Sequence, residues 1–185
     1  FGASGLTMLE ELPHVGSIVS GDDEERVIRL LRTLRELIDE RARAFARIRA
    51  GTVTEYRELA DEPETPRILL LVDGMAAFRE AYDYSNLAKW FTTFVQIATD
   101  GRQVGVHVIV TGDRPNAIPT SLGSSIQRRL IHRMASVDDY AAFGEPKDML
   151  DGSSPPGRAI LDGHEVQVAV HGGDANVAIQ SREVT

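Results

Sequence analysis

Cysteine is absent from all 185 residues. That excludes a disulfide framework, a cysteine-ligated zinc and a thiol nucleophile together. Long apolar runs are absent as well. The longest, Ile68 to Val72, falls far short of the ~20 residues a membrane-spanning helix requires. The opening residues show no basic region followed by an apolar one, the pattern of a secretory leader. Lysine is scarce: of 20 basic residues only Lys89 and Lys147 are lysines. A phosphate cradle of the form G-x-x-x-x-G-K-[ST] needs a lysine behind a glycine-rich loop. Lys89 lies inside an amphipathic stretch and Lys147 follows Pro146, so neither fits. Gly2-Ala3-Ser4-Gly5 is too short for that loop or for a dinucleotide-binding one, and reads as loop glycines.

Other chemistries are missing too. The five histidines (His14, His107, His132, His164 and His171) form no H-E-x-x-H pair, so no metal site is expected. His107 and His132 fall within apolar strands and read as hydrogen-bonded structural residues. No G-x-S-x-G elbow is present, which excludes the serine-hydrolase pattern. Positive charge is in deficit: 20 basic against 28 acidic residues leaves a net charge of −8. That sign disfavours a surface that wraps nucleic acid, whose affinity comes mainly from cations neutralising phosphates.

What is present is an ordinary soluble composition, 42% hydrophobic and 26% charged. At this length roughly 70% of the unfolded surface can be buried, enough for a core without staples. Residues 1–20 read as a loop with a short extended piece. Gly21 to Glu25 then opens a long helix, with acids where the helix dipole favours them. Val27, Leu30, Leu31, Leu34, Leu37, Ile38, Phe45 and Ile48 give it one apolar stripe, and Gly51 is its expected stop. A short helix over Thr54 to Leu59 and a polar loop to Pro66 follow.

Arg67 to Asp73 reads as a strand buried on both faces, because its apolar residues are continuous rather than alternating. Residues 85–100 make an amphipathic helix, and Gly101 and Gly105 bracket the turn into a second strand, Val106 to Val110. Ser121 to Ile126 is read as one helical turn, Arg129 to Met134 as a third strand and Val137 to Phe143 as a short helix. Arg158 to Leu161 and Glu165 to Val170 flank Asp162-Gly163, a strong hairpin signal. Helices alternating with strands predict an α/β fold with a mostly parallel sheet, helices on both faces and a C-terminal β-hairpin. Ligands of such sheets sit beyond the carboxyl ends of the strands, where Asp73 and Gly112-Asp113-Arg114 fall.

Asp73 is the most informative position. A run of aliphatics ending in Asp is the Walker B pattern, whose carboxylate reaches the magnesium of a bound nucleotide. The alternative is a strand-ending Asp that caps the next turn. Walker B aspartates are usually followed by a glutamate that orients water; here Gly74 follows, and glycine can do neither. Arg128, Arg129 and Arg133 cluster around the third strand. Solvated faces and ion pairs explain such a cluster; an anion or DNA contact is the other reading.

As an ordered set these segments resemble the FtsK/SpoIIIE family of RecA-like motor ATPases, which includes DNA translocases and the membrane-bound ATPases of type VII secretion. Leu12 to Gly16 followed by Gly21 to Val27 is similar to the lead into that family's long helix. Ile68 to Asp73 is similar to its Walker B strand. Gly101-Arg102-Gln103-Val104-Gly105-Val106-His107 resembles its GRxxGxH step, followed by Thr111-Gly112-Asp113-Arg114-Pro115 where the family has T-Q-R-P. Arg128 to Tyr140 and Pro156-Gly157-Arg158 resemble its closing third.

The resemblance implies a RecA-like domain over residues 1–185, with its core from the Walker B strand onward at 67–170. The P-loop strand and helix have no counterpart before Phe1, so the domain is expected to be partial. A sheet lacking that strand keeps edge N–H and C=O groups unpaired, at ~1–3 kcal/mol for each one buried, so these residues are expected to be part of a larger domain, or another segment to fill the gap. With Gly74 at the glutamate position and Gly112-Asp113 in place of the T-Q pair, the resemblance implies a degenerate ATPase module. It would bind nucleotide or regulate a multidomain secretion motor, with no catalytic residue of its own.

Asp73 and Arg114 are the implied contacts for ATP and Mg²⁺. Arg128, Arg129 and Arg158 are the implied interface or anion contacts. The implied partners are other domains of the same ATPase, further copies in an oligomer, and a secreted protein or its signal peptide, with DNA disfavoured by net charge. The implied location is cytoplasmic, as the cytosolic part of a membrane-anchored protein. Two rival readings are a non-catalytic docking module for a partner's helix and part of an active DNA translocase.

Overall fold

The computed structural model describes residues 1, 4–126, 128–174 and 176–184; the Gly2-Ala3 part of the opening loop lies outside them. Helix α1, Glu24–Ile48, starts where the acids predict, with the Asp23 side chain accepting from the Arg26 N–H at 3.1 Å. Its left-handed end residue is Arg49 rather than Gly51, whose N–H instead meets Glu55 Oε2 at 2.7 Å. Helix α2, Val53–Leu59, is capped by the Thr52 hydroxyl. Strand β1, Ile68–Val72, leads through Gly74 into α3, Met75–Tyr82, and α4, Ala88–Asp100. A 3-10 turn at Gly101–Val104 feeds β2, Val106–Val110.

β1 and β2 pair in parallel, from Ile68↔Val106 to Val72↔Val110. After the one-turn α5, Thr120–Gly123, the rest of the sheet structure is antiparallel. It comprises β3 (Leu130–His132), β4 (Arg158–Leu161) and β5 (His164–Gln167), in the order β3-β4-β5. The chain closes with α6, Val177–Val184. The predicted hairpin is present, and its two turn residues, Asp162 and Gly163, have φ of 51° and 76°. Two positive φ values match the twist of the flanking strands.

The main core is built by burying one stripe of α1 (Val27, Leu31, Leu34, Ile38, Phe45) with α3, α4 and one face of the parallel pair. At its centre Phe78 meets Phe94 edge-on at 5.0 Å and Tyr82 at 4.9 Å. A second, smaller core of Ile131, Tyr140, Leu150 and Ile160 sits under the antiparallel strands. There the Tyr140 hydroxyl accepts the Met134 N–H at 2.9 Å.

Several sequence expectations need correction. β1 is not buried on both faces: Leu70 and Val72 are inside, while Leu69 is 57% and Leu71 45% exposed. Their neighbour across the ladder, Ile109, is 48% exposed. The α/β class holds, with parallel pairing confined to β1–β2 and the core helices packed on one face of that pair. Among the described residues no hydrogen-bonded ladder joins the two sheets. The opening segment contains a 3-10 helix, Ser4–Leu9, rather than an extended piece, and Val137–Phe143 is likewise 3-10. His132 is exposed because β3 is a three-residue edge strand whose inward side chain is Ile131. Its Nδ1 lies 3.3 Å from the Arg158 carbonyl oxygen; His107 is half-buried.

Candidate functional site

The parallel register fixes the site. With Val72 opposite Val110, the next residues, Asp73 and Thr111, emerge side by side at the carboxyl ends of β1 and β2. The Thr111 hydroxyl donates to Asp73 Oδ1 at 2.6 Å and accepts the Gly74 N–H at 3.0 Å. Two backbone bonds reinforce this junction, Thr111 N–H to the Val72 carbonyl at 3.1 Å and Met75 N–H to the Thr111 carbonyl at 2.9 Å. The chain turns through Gly74 at φ 81°, ψ 61°, a left-handed conformation that glycine adopts without steric cost. The capping reading of Asp73 fails here: the N-cap of α3 is Gly74, which makes no side-chain cap. Asp73 is half-buried, and its second carboxylate oxygen carries no hydrogen bond among the described residues.

Arg114 stands three residues beyond Thr111, in extended backbone, with its nearest ionic neighbour Asp113 only at 4.0 Å. An exposed pair at that distance holds neither group firmly. Arg114 borders an open cleft of about 680 Å³ between α3 and the turn after β2, with Arg79, Glu80, Tyr84 and Asn116 on its walls. Arg79 builds this cleft by reaching both sides. It donates to the Asn116 carbonyl at 2.9 Å, to the Tyr84 hydroxyl, and to Asp83 at 3.4 Å. Its guanidinium also lies 5.3 Å from the centre of the Tyr84 ring. Asp73 lies outside this lining, so the structure brings Asp73 together with Thr111 rather than with Arg114.

The remaining arginines lie around the antiparallel strands. Arg129 borders a hollow of about 260 Å³ shared with Glu145 and Asp162, two acids that disfavour an anion there. Arg158 is tied to Glu165 at 2.5 Å across the hairpin. Arg128 is exposed. No group of three or more His, Asp or Glu side chains suited to a metal is found among the described residues.

Thr111 is the residue that sequence reasoning quoted without assigning a task. The signal was available: two five-residue parallel strands in full register place the residue after each one opposite the other. As a site for Mg-nucleotide, these residues fit the magnesium side. A half-buried carboxylate, oriented by a neighbouring hydroxyl and keeping an unbonded oxygen at a strand end, suits a hydrated Mg²⁺. The 185 residues contain no phosphate cradle.

The FtsK/SpoIIIE family model matches residues 1–151. The chain belongs to the FtsK/SpoIIIE family. Curated relatives of this FtsK/SpoIIIE chain are secretion proteins. The ESX-1 secretion system protein EccCb1 of Mycolicibacterium smegmatis is 27% identical over 177 residues, 91% of this chain and 29% of that protein. The ESX secretion system protein YukB of Bacillus subtilis is 27% identical over 170 residues, 91% of this chain and 11% of that protein. The chain thus spans under a third of the length of either relative.

Solved structures agree in fold. ATPases 2 and 3 of EssC from Geobacillus thermodenitrificans superpose with a TM-score of 0.83 at 22% identity, covering 100% of this chain and 35% of that one. ATPases 2 and 3 of Thermomonospora curvata EccC, in complex with a signal sequence peptide, give 0.77 at 24%, with the same coverage. Among the described residues no helix is long and apolar enough to cross a membrane.

Proposed function

We propose that this chain is a nucleotide-holding, regulatory ATPase module of a multidomain type VII secretion motor, with no hydrolysis of its own. The observation that carries this reading is the junction after β1. One Asp73 carboxylate oxygen is held by Thr111 and the other is left open, which supports a magnesium contact, while the next position is a left-handed glycine whose N–H is already bonded to Thr111. A hydrolytic site needs a group there that can orient water, and glycine has no side chain.

In this reading Asp73 contacts hydrated Mg²⁺ and Arg114 contacts the nucleotide or a neighbouring subunit. Arg128, exposed like Arg129 and Arg133, serves an interface better than Arg129 or Arg158, which have acids beside them. The phosphate cradle comes from residues outside these 185, which makes the chain part of a larger domain, and Mg²⁺ when bound offsets charge on the phosphates. The partners are other domains of the same polypeptide and further copies of it, in the cytosol.

A second reading rests on a different observation. The exposed trio Leu69, Leu71 and Ile109 is an apolar surface on an otherwise acidic chain. Such a face suits the apolar side of a partner's amphipathic helix. The signal sequence peptide held by the related EccC supports a secreted partner as its source. The acidic balance supports a protein partner over DNA.

Titration calorimetry with Mg-ATP tests the first reading, on the 185-residue chain and on the full natural polypeptide. Binding attributable to this module in the full polypeptide, abolished by Asp73→Ala and accompanied by little turnover, is the expected result. Asp73-dependent turnover that persists when the other ATPase domains of the polypeptide are inactivated overturns the non-hydrolytic reading. Absence of any Asp73-dependent binding moves the assignment to the docking reading.

A further inference from the structure

We propose that Thr111 is a positioning residue for Asp73, and that Gly74 is required in its left-handed form to complete the device; the consequence for nucleotide rests on the reading above. The hydrogen bonds run in one direction, from the Gly74 N–H to Thr111 Oγ1 at 3.0 Å and from the Thr111 O–H to Asp73 Oδ1 at 2.6 Å. Because the hydroxyl accepts from Gly74, its single proton is directed at Asp73, and one carboxylate oxygen is held while the other stays open. A β-branched side chain suits this task, since threonine's χ1 is stiff. The backbone bonds from Thr111 N–H to Val72 and from Met75 N–H to Thr111 fix the base from which that side chain projects.

Gly74 is therefore more than a missing glutamate. At φ 81° its N–H is aimed at Thr111, a backbone conformation that disfavours any residue with a Cβ. For a glutamate introduced at this position that conformation costs about 1–2 kcal/mol, a bias toward leaving it and so releasing Thr111 and with it Asp73. The two features of the site, an oriented aspartate and no water-orienting carboxylate, are one arrangement: the turn that orients Asp73 is a turn that glutamate does not favour.

The test is the side-chain rotamer of Asp73, measured on the 185-residue chain by three-bond couplings from its Cγ to backbone nitrogen and carbonyl carbon. The wild type should show a single rotamer, Thr111→Val averaged couplings, and Thr111→Ser a return to the wild-type values. Hydrogen exchange of the Gly74 amide should accelerate about tenfold in Thr111→Val, the loss of one hydrogen bond. Gly74→Glu should average the Asp73 couplings as Thr111→Val does. Couplings unchanged between wild type and Thr111→Val overturn the proposal, as does a locked Asp73 in Gly74→Glu. In the full polypeptide, Asp73-dependent Mg-ATP binding should weaken about tenfold in Thr111→Val and recover in Thr111→Ser. If Mg-ATP fails to bind there while the rotamer results hold, the nucleotide reading falls and Thr111 keeps its task.

Discussion

Asp73 and Thr111 are 38 residues apart in sequence, and their side-chain oxygens are 2.6 Å apart in space. Each is the residue just after a strand, and the full parallel register of β1 and β2 brings them together. Thr111→Val therefore leaves two groups short at once, the Asp73 carboxylate and the Gly74 N–H. Thr111 is exposed and its two partners half-buried, so water meets part of the loss and the cost is about 0.5–1.5 kcal/mol; the unfolding free energy from urea titration should fall by that amount. Thr111→Ser should lose less than half as much, because it keeps the hydroxyl.

Gly101 and Gly105 shape the turn that delivers β2 to β1. A Cβ at Gly101 would stand 2.8 Å from the Val106 carbonyl oxygen and 3.2 Å from Ile38 Cδ1. Backbone cannot give way as a flexible side chain can, so Gly101→Ala should cost about 1–3 kcal/mol. Gly105 has φ of 82° and a Cβ there would press on Val53 at 3.2 Å, so Gly105→Ala should cost about 1–2 kcal/mol. Gly123, helical with nothing within 4 Å of an added Cβ, is the control. Gly123→Ala should be neutral or add up to about 1 kcal/mol. Urea unfolding of the three variants side by side checks the ranking.

These elements differ in how plainly the sequence announces them. Asp23 and the acids after it mark the start of α1, and Asp162-Gly163 marks the hairpin, because caps and primed turns act through local backbone chemistry. Helix α3 was missed although Met75, Phe78 and Tyr82 lie at helical spacing and are all buried. Its N-cap is Gly74, which offers no side-chain signal. The exposure of Leu69 and Leu71 was not legible, since a continuous aliphatic run reads the same whether one face or both are covered. Thr111 was visible as a residue but not as a partner, because its task depends on register between strands 38 positions apart. The Arg158–Glu165 pair, by contrast, could be read from a two-residue turn that sets Arg158 opposite Gln167 and leaves Glu165 on the diagonal.

Tyr82 gives the fold a pH dependence on the alkaline side. The side chain is 1% exposed, and its hydroxyl has no hydrogen-bond partner among the described residues. Burial, with the negative charges of Glu24 and Asp23 adding to it, pushes its phenol above the usual tyrosine value. Below an unfolded-state value of about 10 the phenol is neutral in both states. As pH rises past that value, the unfolded chain loses the proton first, so stability falls until the folded-state value is passed. Tyr82→Phe removes both effects. It should stabilise the chain by about 1 kcal/mol at pH 7, by deleting an unsatisfied buried hydroxyl, and the gap should widen above pH ~10. Urea unfolding at pH 7 and in alkaline buffer measures both.

The two faces of the β1–β2 pair should respond unequally to loss of apolar side chains. Leu70 and Val72 point into the main core, whereas Leu69, Leu71 and Ile109 point outward. Truncating a buried leucine leaves a cavity, so Leu70→Ala should cost about 2–4 kcal/mol. The triple change Leu69→Thr, Leu71→Thr, Ile109→Thr places a β-branched residue at each of these strand positions and removes apolar surface that is already wet. It should alter the unfolding free energy of the 185-residue chain, from urea titration, by less than about 1 kcal/mol and raise its solubility. Equal losses on both faces would mean that something covers the outer face in solution. A one-residue slip in the register would exchange the two faces, so the same pair of measurements also checks the alignment that places Asp73 beside Thr111.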